Sequence, residues 1–138
     1  MKIPTPEEKS RARICNIFMV DDEPDVNITI ETALEENGDF RVDTFDDTKS
    51  ALLAFKSGYY DLAILDVKMP GMNGFQLCRK LREIDKNLKI CFLTAVELTY
   101  LQDIDSVIIN DFKADCFVAK PVNTADLIKR LKVILSRE

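Results

Sequence analysis

Acidic side chains follow two apolar segments of the chain, at the point where each segment ends. Asp21 and Asp22 come directly after residues 14–20, and Asp66 closes residues 62–65. Each segment has the composition of a strand buried on both faces, and such strands end at an edge of a parallel sheet where ligands bind. Three carboxylates crowded there would repel one another unless a cation were present. Oxygen ligands without histidine or cysteine favour Mg²⁺, with Mn²⁺ as the alternative.

A hydroxyl and an ammonium group lie at the ends of two later apolar segments. Thr94 is near the end of residues 88–95, and Lys120 closes residues 116–120 ahead of a proline. Taken singly, each has a simpler interpretation, because a threonine at a strand end often caps the next helix and a lysine often meets solvent. Taken together, they add a hydrogen-bond donor and a positive charge to the acidic edge.

This set of groups has the composition of a phosphoryl acceptor. A carboxylate acts as the nucleophile, while a metal ion, an ammonium group and a hydroxyl balance the charge of the transferring group. Asp66 is the predicted nucleophile, and it would form an acyl phosphate. The simpler interpretation of Asp22, a helix cap ahead of Pro24, stays open for that residue taken alone.

Alternating strand and helix patterns predict the scaffold that holds these groups. The connections are short, which predicts a parallel sheet covered by helices on both faces. The predicted fold class is a three-layer α/β sandwich of the flavodoxin-like type, with five strands in the order 2-1-3-4-5. In that order the first and third strands are neighbours, so their acids would meet. The predicted strands are 14–20, 40–45, 62–65, 88–95 and 116–120, and the predicted helices start near Pro24, Asp46, Phe75 and Asn123 or Thr124.

Length and charge narrow the class of protein. The 138 residues fit one domain, predicted at 14–138 behind a short polar arm at 1–13. A net charge of −5 argues against nucleic acids and anionic membranes as partners. No apolar run reaches the ~18 residues of a membrane span, and the arm lacks the apolar stretch of a signal peptide. We therefore expect a cytoplasmic protein.

Histidine and cysteine usage limits the chemistry further. The chain has no histidine, which excludes histidine catalysis, histidine metal ligation and phosphohistidine within it. Its four cysteines have no C-x-x-C spacing, and the expected cytoplasm is reducing. We expect all of them to be reduced core residues rather than zinc ligands: Cys15, Cys78, Cys91 and Cys116.

With these groups in register, the chain resembles the receiver domain of two-component response regulators over about residues 14–136. Each motif is weak alone, but the five in this order are specific. They are Asp21-Asp22, Asp66 after residues 62–65, the sequence Met-Pro-Gly-Met-Asn-Gly at 69–74, Thr94-Ala95, and Lys120-Pro121.

The resemblance implies a role for each acidic residue. Asp66 would be the phosphorylation site. Asp22 and Asp66 would bind Mg²⁺ directly, with the backbone carbonyl of Lys68 as the third protein ligand. Asp21 would act through a metal-bound water.

The resemblance also implies partners and a switch. The phosphoryl donor would be a sensor histidine kinase or a phosphotransfer protein, and an output partner would respond to the phosphorylated form. Thr94 and Lys120 would contact the phosphoryl oxygens. Phe117 matches the switch aromatic of the family, with plain core packing as the alternative interpretation. The chain would catalyse only its own phosphorylation and dephosphorylation, so it would not be an enzyme in the usual sense.

Two features depart from the family pattern. Lys120 lies 26 positions after Thr94, a longer spacing than expected, so the segment around the predicted fourth helix would be irregular. Its apolar residues are better interpreted as core, with a homodimer or output surface across 96–136 as the alternative. Lys68, two residues after Asp66, holds the position that faces the site in this family and influences the access of water to it. Its side chain would either pair with an acid across the mouth of the site or point outward.

Three other functions compete with this prediction. A receiver-like interaction module that does not cycle through phosphorylation is the main alternative, and the presence of all five motifs argues against it. A phosphohydrolase with an aspartate nucleophile would need an acid where this chain has Lys68. A flavin-binding protein would need a phosphate loop after the first strand, where this chain has acids that would repel a flavin phosphate.

Overall fold

A five-stranded parallel sheet with helices on both faces forms the scaffold of the protein. The computed structural model describes residues 13–95 and 113–137. The strand order is β2-β1-β3-β4-β5, which confirms the predicted fold class. Predictions for residues 1–12 and 96–112 lie outside the described residues. They concern most of the polar arm and the helix predicted between the fourth and fifth strands. The strands are β1 (Cys15–Val20), β2 (Phe40–Phe45), β3 (Leu62–Asp66), β4 (Lys89–Thr94) and β5 (Cys116–Ala119), and the helices are α1 (Pro24–Asn37), α2 (Thr48–Ala54), α3 (Gly74–Ile84) and α4 (Thr124–Leu135).

The central strands are buried on both faces, which explains why their sequences are apolar without alternation. Successive residues of β1 and β3 point to opposite faces and enter two separate cores. Helices α2 and α3 cover one core, and helices α1 and α4 cover the other. The first core includes Phe18, Val20, Ala63, Leu65, Leu77, Leu81 and Phe92, and the second includes Ile17, Met19, Ile30, Leu34, Ile64, Leu127 and Leu131. Among the described residues, no helix is long and apolar enough to cross a bilayer.

Capping residues set the helix ends close to the predicted positions. Asn123, one of the two predicted candidates, caps α4 by accepting a hydrogen bond from the backbone of Asp126. Glu23, rather than Asp22, occupies the N-cap position of α1, and its side chain makes no capping hydrogen bond. The helix-cap interpretation of Asp22 is therefore wrong, and its carboxylate is available to the acidic cluster.

Two cysteines differ from the expectation that all four are reduced. Cys91 and Cys116 are joined by a disulfide, whereas Cys15 and Cys78 are free. The reason is the register of the sheet, which pairs Cys91 of β4 directly with Cys116 of β5. Their Cα atoms lie 4.6 Å apart, within the range that a disulfide spans. The spacing of 25 residues along the chain carries no sign of this pairing, which only the sheet creates.

A close contact between the start of α3 and the end of β3 depends on glycine. A Cβ atom built at Gly74 would collide with the backbone carbonyl oxygen of Asp66. The Gly74 backbone N–H also donates a hydrogen bond of 2.9 Å to the carbonyl of Val67. The loop after β3 is therefore drawn tightly against the strand end that presents Asp66.

Replacing this glycine tests how tightly the loop is held. We expect Gly74→Ala to lower the free energy of unfolding by about 1–3 kcal/mol, because the added methyl group must displace backbone. Chemical denaturation measures the loss. Lys80→Ala, on the exposed side of the same helix, is the control and should change stability by less than about 0.5 kcal/mol. Equal stability of the two variants would contradict the close contact.

Candidate functional site

Three carboxylates converge at the carboxyl edge of the sheet. β1 and β3 are paired neighbours, with Val20 opposite Leu65, so the residues that follow them lie side by side. Each of the acids offers a carboxylate oxygen within 4.8 Å of the others: Asp21, Asp22 and Asp66. The predicted convergence of acids from two strands is therefore present in the structure.

Burial makes this cluster of negative charge costly. Asp21 is fully buried and Asp66 is 3% exposed, while Asp22 is more accessible. Burial and the neighbouring charge of Asp21 raise the pKa of Asp66 to about 7, although Lys120 opposes the rise. A carboxylate with such a pKa is poised to gain a cation, because a cation favours its charged form.

Lys120 reaches over the cluster from the end of β5. Its ammonium nitrogen lies 2.9 Å from Asp21 Oδ2, 3.0 Å from Glu23 Oε1 and 3.4 Å from Asp66 Oδ1. Burial disfavours the charge on this lysine, but its close contacts with the Asp21 and Glu23 carboxylates and the nearby charge of Asp66 together raise its pKa above the usual value. The lysine is therefore a fixed positive charge at neutral pH.

Backbone contacts hold the lysine and the threonine side by side. The Lys120 backbone N–H donates a 2.8 Å hydrogen bond to the carbonyl of Thr94, and the peptide bond from Lys120 to Pro121 is cis. Thr94 is buried at the end of β4, one residue past the partner of Asp66. The strand ends thus bring Thr94 and Lys120 to the same edge as the acids.

The structure also places the two remaining predicted residues. Lys68 is exposed in the loop after β3. Phe117 is half-buried in β5, and its ring stacks on Phe92 with centroids 5.3 Å apart. Arg130 of α4 donates a 3.1 Å hydrogen bond to the Phe117 carbonyl. This position fits either a core aromatic or a switch residue.

Two site residues were missed from the sequence. Glu23 pairs with Lys120, but it is 62% exposed and follows two other acids, so nothing in the sequence singles it out. Asn27 is buried and its amide donates hydrogen bonds of 2.8 Å to the Asp21 carbonyl and 3.2 Å to the Phe45 carbonyl. The sequence did contain a sign of this role for Asn27, because it is a polar residue on the buried face of α1.

The donor set fits a hard divalent cation. The cluster contains carboxylates alone, with no histidine or cysteine. Asp21 Oδ2 is buried and, among the described residues, accepts no aligned hydrogen bond; its contact with Lys120 is an ion pair. Four carboxylates, those of the cluster and that of Glu23, lie around one lysine, so a further cation would offset the excess negative charge.

Comparison with known proteins identifies relatives over most of the chain. Residues 17–132 match the family described as response regulator receiver domain. Response regulator ArlR of Staphylococcus aureus is 35% identical over 122 residues, covering 88% of this chain and 53% of that protein. The chain therefore spans about half the length of the curated relatives it matches.

Solved structures agree in fold. The CheY-like receiver domain protein of Methanospirillum hungatei has a TM-score of 0.77 at 27% identity, covering 89% of this chain and 94% of that one. The response regulator TrrA of Thermotoga maritima, crystallised with Mg²⁺ and beryllium fluoride, has a TM-score of 0.72 at 36% identity, covering 88% of this chain and 99% of that one.

The raised pKa of Asp66 predicts a dependence of stability on pH. The folded carboxyl, with its pKa of about 7, holds a proton that the unfolded chain loses near pH 4. Tighter binding of this proton by the folded state stabilises the fold. The contribution is complete below about pH 4 and is lost as pH rises through about 7. Asp66→Asn removes the titration, so its stability relative to the wild type should be higher at pH 8 than at pH 5, by roughly 1–3 kcal/mol.

Urea denaturation with a chelator present measures this difference. Asp46→Asn is a matched control, since Asp46 is an exposed acid that follows the neighbouring strand β2 outside the cluster. The control should keep the pH dependence of the wild type. A constant difference between Asp66→Asn and the wild type from pH 5 to pH 8 would contradict the buried charge at this site.

Proposed function

Because the chain belongs to the family of response regulator receiver domains, we propose that it accepts a phosphoryl group on Asp66 from a sensor histidine kinase or a phosphotransfer protein. The observation that carries this proposal is the convergence of three carboxylates and one ammonium group at a single edge of the sheet. A nucleophile, a cation site and a fixed positive charge are the parts that phosphoryl transfer needs.

The transfer would begin with an oxygen of the Asp66 carboxylate attacking the phosphorus. A new oxygen–phosphorus bond forms as the donor's nitrogen–phosphorus bond breaks, and the electron pair of that bond leaves with the donor imidazole. The Lys120 ammonium, already 3.4 Å from Asp66, would contact the phosphoryl oxygens and offset their negative charge. Thr94, from the adjacent strand end, would donate its hydroxyl to another of these oxygens.

Magnesium is the proposed cofactor. Asp22, Asp66 and the backbone carbonyl of Lys68 would hold it, and Asp21 would act through a water. Bound Mg²⁺ supplies positive charge that offsets the carboxylates and the transferring phosphoryl group. The relative crystallised with Mg²⁺ and beryllium fluoride supports this choice for a related site.

The proposed output is a shift between two conformations. The phosphoryl group favours whichever state contacts it better, and the shift is limited by that difference in contacts. Phe117, stacked on Phe92 beside the site, is the proposed switch residue. Return to the starting state would follow hydrolysis of the acyl phosphate.

Mass spectrometry tests the acceptor residue directly. Incubation with acetyl phosphate and Mg²⁺ should add one phosphoryl group to the wild type and to the Asp46→Asn control. Asp66→Asn should gain none, because an amide is a poor nucleophile. An adduct that persists in Asp66→Asn would overturn the assignment, and no adduct in any protein would favour the non-cycling module.

Lys120→Gln tests the fixed positive charge. We expect it to slow phosphorylation by acetyl phosphate by about 10²-fold, because a positioned charge on the transferring group is lost. The control is Lys129→Gln, an exposed lysine of α4, which should react at the wild-type rate. Circular dichroism establishes that both variants are folded, and equal rates for the two would rule out the proposed role of Lys120.

A further inference from the structure

The disulfide joins the two strands that carry one side of the candidate site. Cys91 lies in β4, three residues before Thr94, and Cys116 lies in β5, four residues before Lys120. Phe117 follows Cys116 directly. A covalent bond between these strands therefore restrains the groups that would contact a phosphoryl group.

Within the described parts of the chain, the strand at the outer end of this bond is held on one side only. β5 is four residues long, and among residues 13–95 and 113–137 it is the terminal strand of the sheet and pairs with β4 alone. Beyond the strand ladder, the Asp115 backbone N–H donates to the Ile90 carbonyl at 2.7 Å, and the Asp115 side chain accepts from the Ile90 N–H at 2.8 Å. Edge strands are the parts of a sheet that move most readily, so a disulfide between β4 and β5 restrains the motion of β5.

Acceptance of a phosphoryl group would require the Lys120 ammonium, at the end of this strand, to rearrange. The Lys120 ammonium now lies between Asp21, Glu23 and Asp66 at 2.9–3.4 Å. To reach the oxygens of a group on Asp66, it must leave part of this arrangement. A bond four residues upstream limits how far the end of β5 shifts.

We propose that the Cys91–Cys116 pair is a reversible redox site, and that its oxidised form weakens the phosphoryl response by restraining β5. This proposal deepens the proposed function and rests on it. The reactant is a small-molecule disulfide of the glutathione type. The pair is thus a second input to the site, alongside the phosphoryl donor.

The oxidation step is balanced by thiol–disulfide exchange. The Cys116 thiol loses its proton to solvent, attacks glutathione disulfide and releases one glutathione thiolate. The Cys91 thiolate, its proton also lost to solvent, then attacks the Cys116 sulfur and releases the second glutathione thiolate. Two protein thiols are oxidised to one disulfide, and one glutathione disulfide is reduced to two thiolates that take up the two protons.

Direct pairing across β4 and β5 selects Cys91 and Cys116 among the four cysteines. Cys116 is half-buried and offers the first point of attack, whereas Cys91 is fully buried and reacts second. Cys78 is also fully buried, and burial raises the pKa of its thiol to about 11. Burial and the charge of Asp61 raise the pKa of the Cys15 thiol, and Cys15 has no disulfide partner. Both free thiols are therefore poor competitors.

The chemical test uses the full chain equilibrated with glutathione disulfide or with dithiothreitol. After alkylation under denaturing conditions, mass spectrometry should find two fewer alkyl groups in the oxidised wild type and in oxidised Cys15→Ser. Cys116→Ser should show no such difference, and Cys91→Ala serves if that variant folds poorly. Equal alkylation of the wild type in both conditions would overturn the proposal.

The functional test is a titration with beryllofluoride and Mg²⁺, a stable substitute for the phosphoryl group. We expect the oxidised wild type to bind about fivefold more weakly than the reduced protein. Cys116→Ser should bind equally in both conditions, and Cys15→Ser should behave as the wild type. Equal binding by the two redox forms of the wild type would overturn the proposal.

Hydrogen exchange separates failure of this proposal from failure of the proposed function. If neither redox form responds to beryllofluoride, the phosphoacceptor function is overturned. The restraint of β5 is then tested by hydrogen exchange at residues 116–120. If the disulfide restrains the strand, their backbone amides should exchange several-fold more slowly in the oxidised protein. Identical exchange in the two forms would overturn the restraint itself.

Discussion

Buried negative charge at the carboxyl edge of the sheet is the constraint on which the rest of this structure depends. Asp21 and Asp66 are removed from water and lie close enough to repel each other. Lys120 offsets part of this repulsion, but burial and the charge of Asp21 still raise the pKa of Asp66. A protein selected for stability alone would not keep such a cluster, and marginal loss of stability is a common cost of a functional site. The same imbalance of charge supports the proposed cation site.

The fold holds this charge in place through its backbone rather than through the acids themselves. Parallel pairing of β1 with β3 makes their ends neighbours, and the burial of all of β3 and of the last four residues of β1 leaves little freedom to shift. The start of α3 packs so closely on the end of β3 that Gly74 has no room for a side chain. Asn27 of α1, on the opposite face of the sheet from α3, donates a hydrogen bond to the carbonyl of Asp21. Rigid elements therefore fix the acids, whereas Lys120 follows the short edge strand β5.

That edge strand connects the site to a second kind of chemistry. β5 carries Phe117 and leads to Lys120, and it is bonded to β4 through Cys116. The phosphoryl group and the redox state of the cysteines would both act on the position of one short strand. Coupling of this kind needs no long pathway, since the disulfide lies within four residues of the groups that it restrains.

Sequence alone determined the fold class, the strand order and the identity of the acids, threonine and lysine at the sheet edge. These follow from local signals: apolar runs of strand length, caps such as Asn123, and polar residues at the points where runs end. Only the tertiary structure decided that Cys91 and Cys116 are bonded, that Glu23 also pairs with Lys120, and that Glu23 rather than Asp22 occupies the N-cap position of α1. Pairing of residues distant in the chain depends on strand register, and one residue of register changes every partner across a strand pair. A pattern along the chain records which face a residue takes, but it does not record which residue lies opposite.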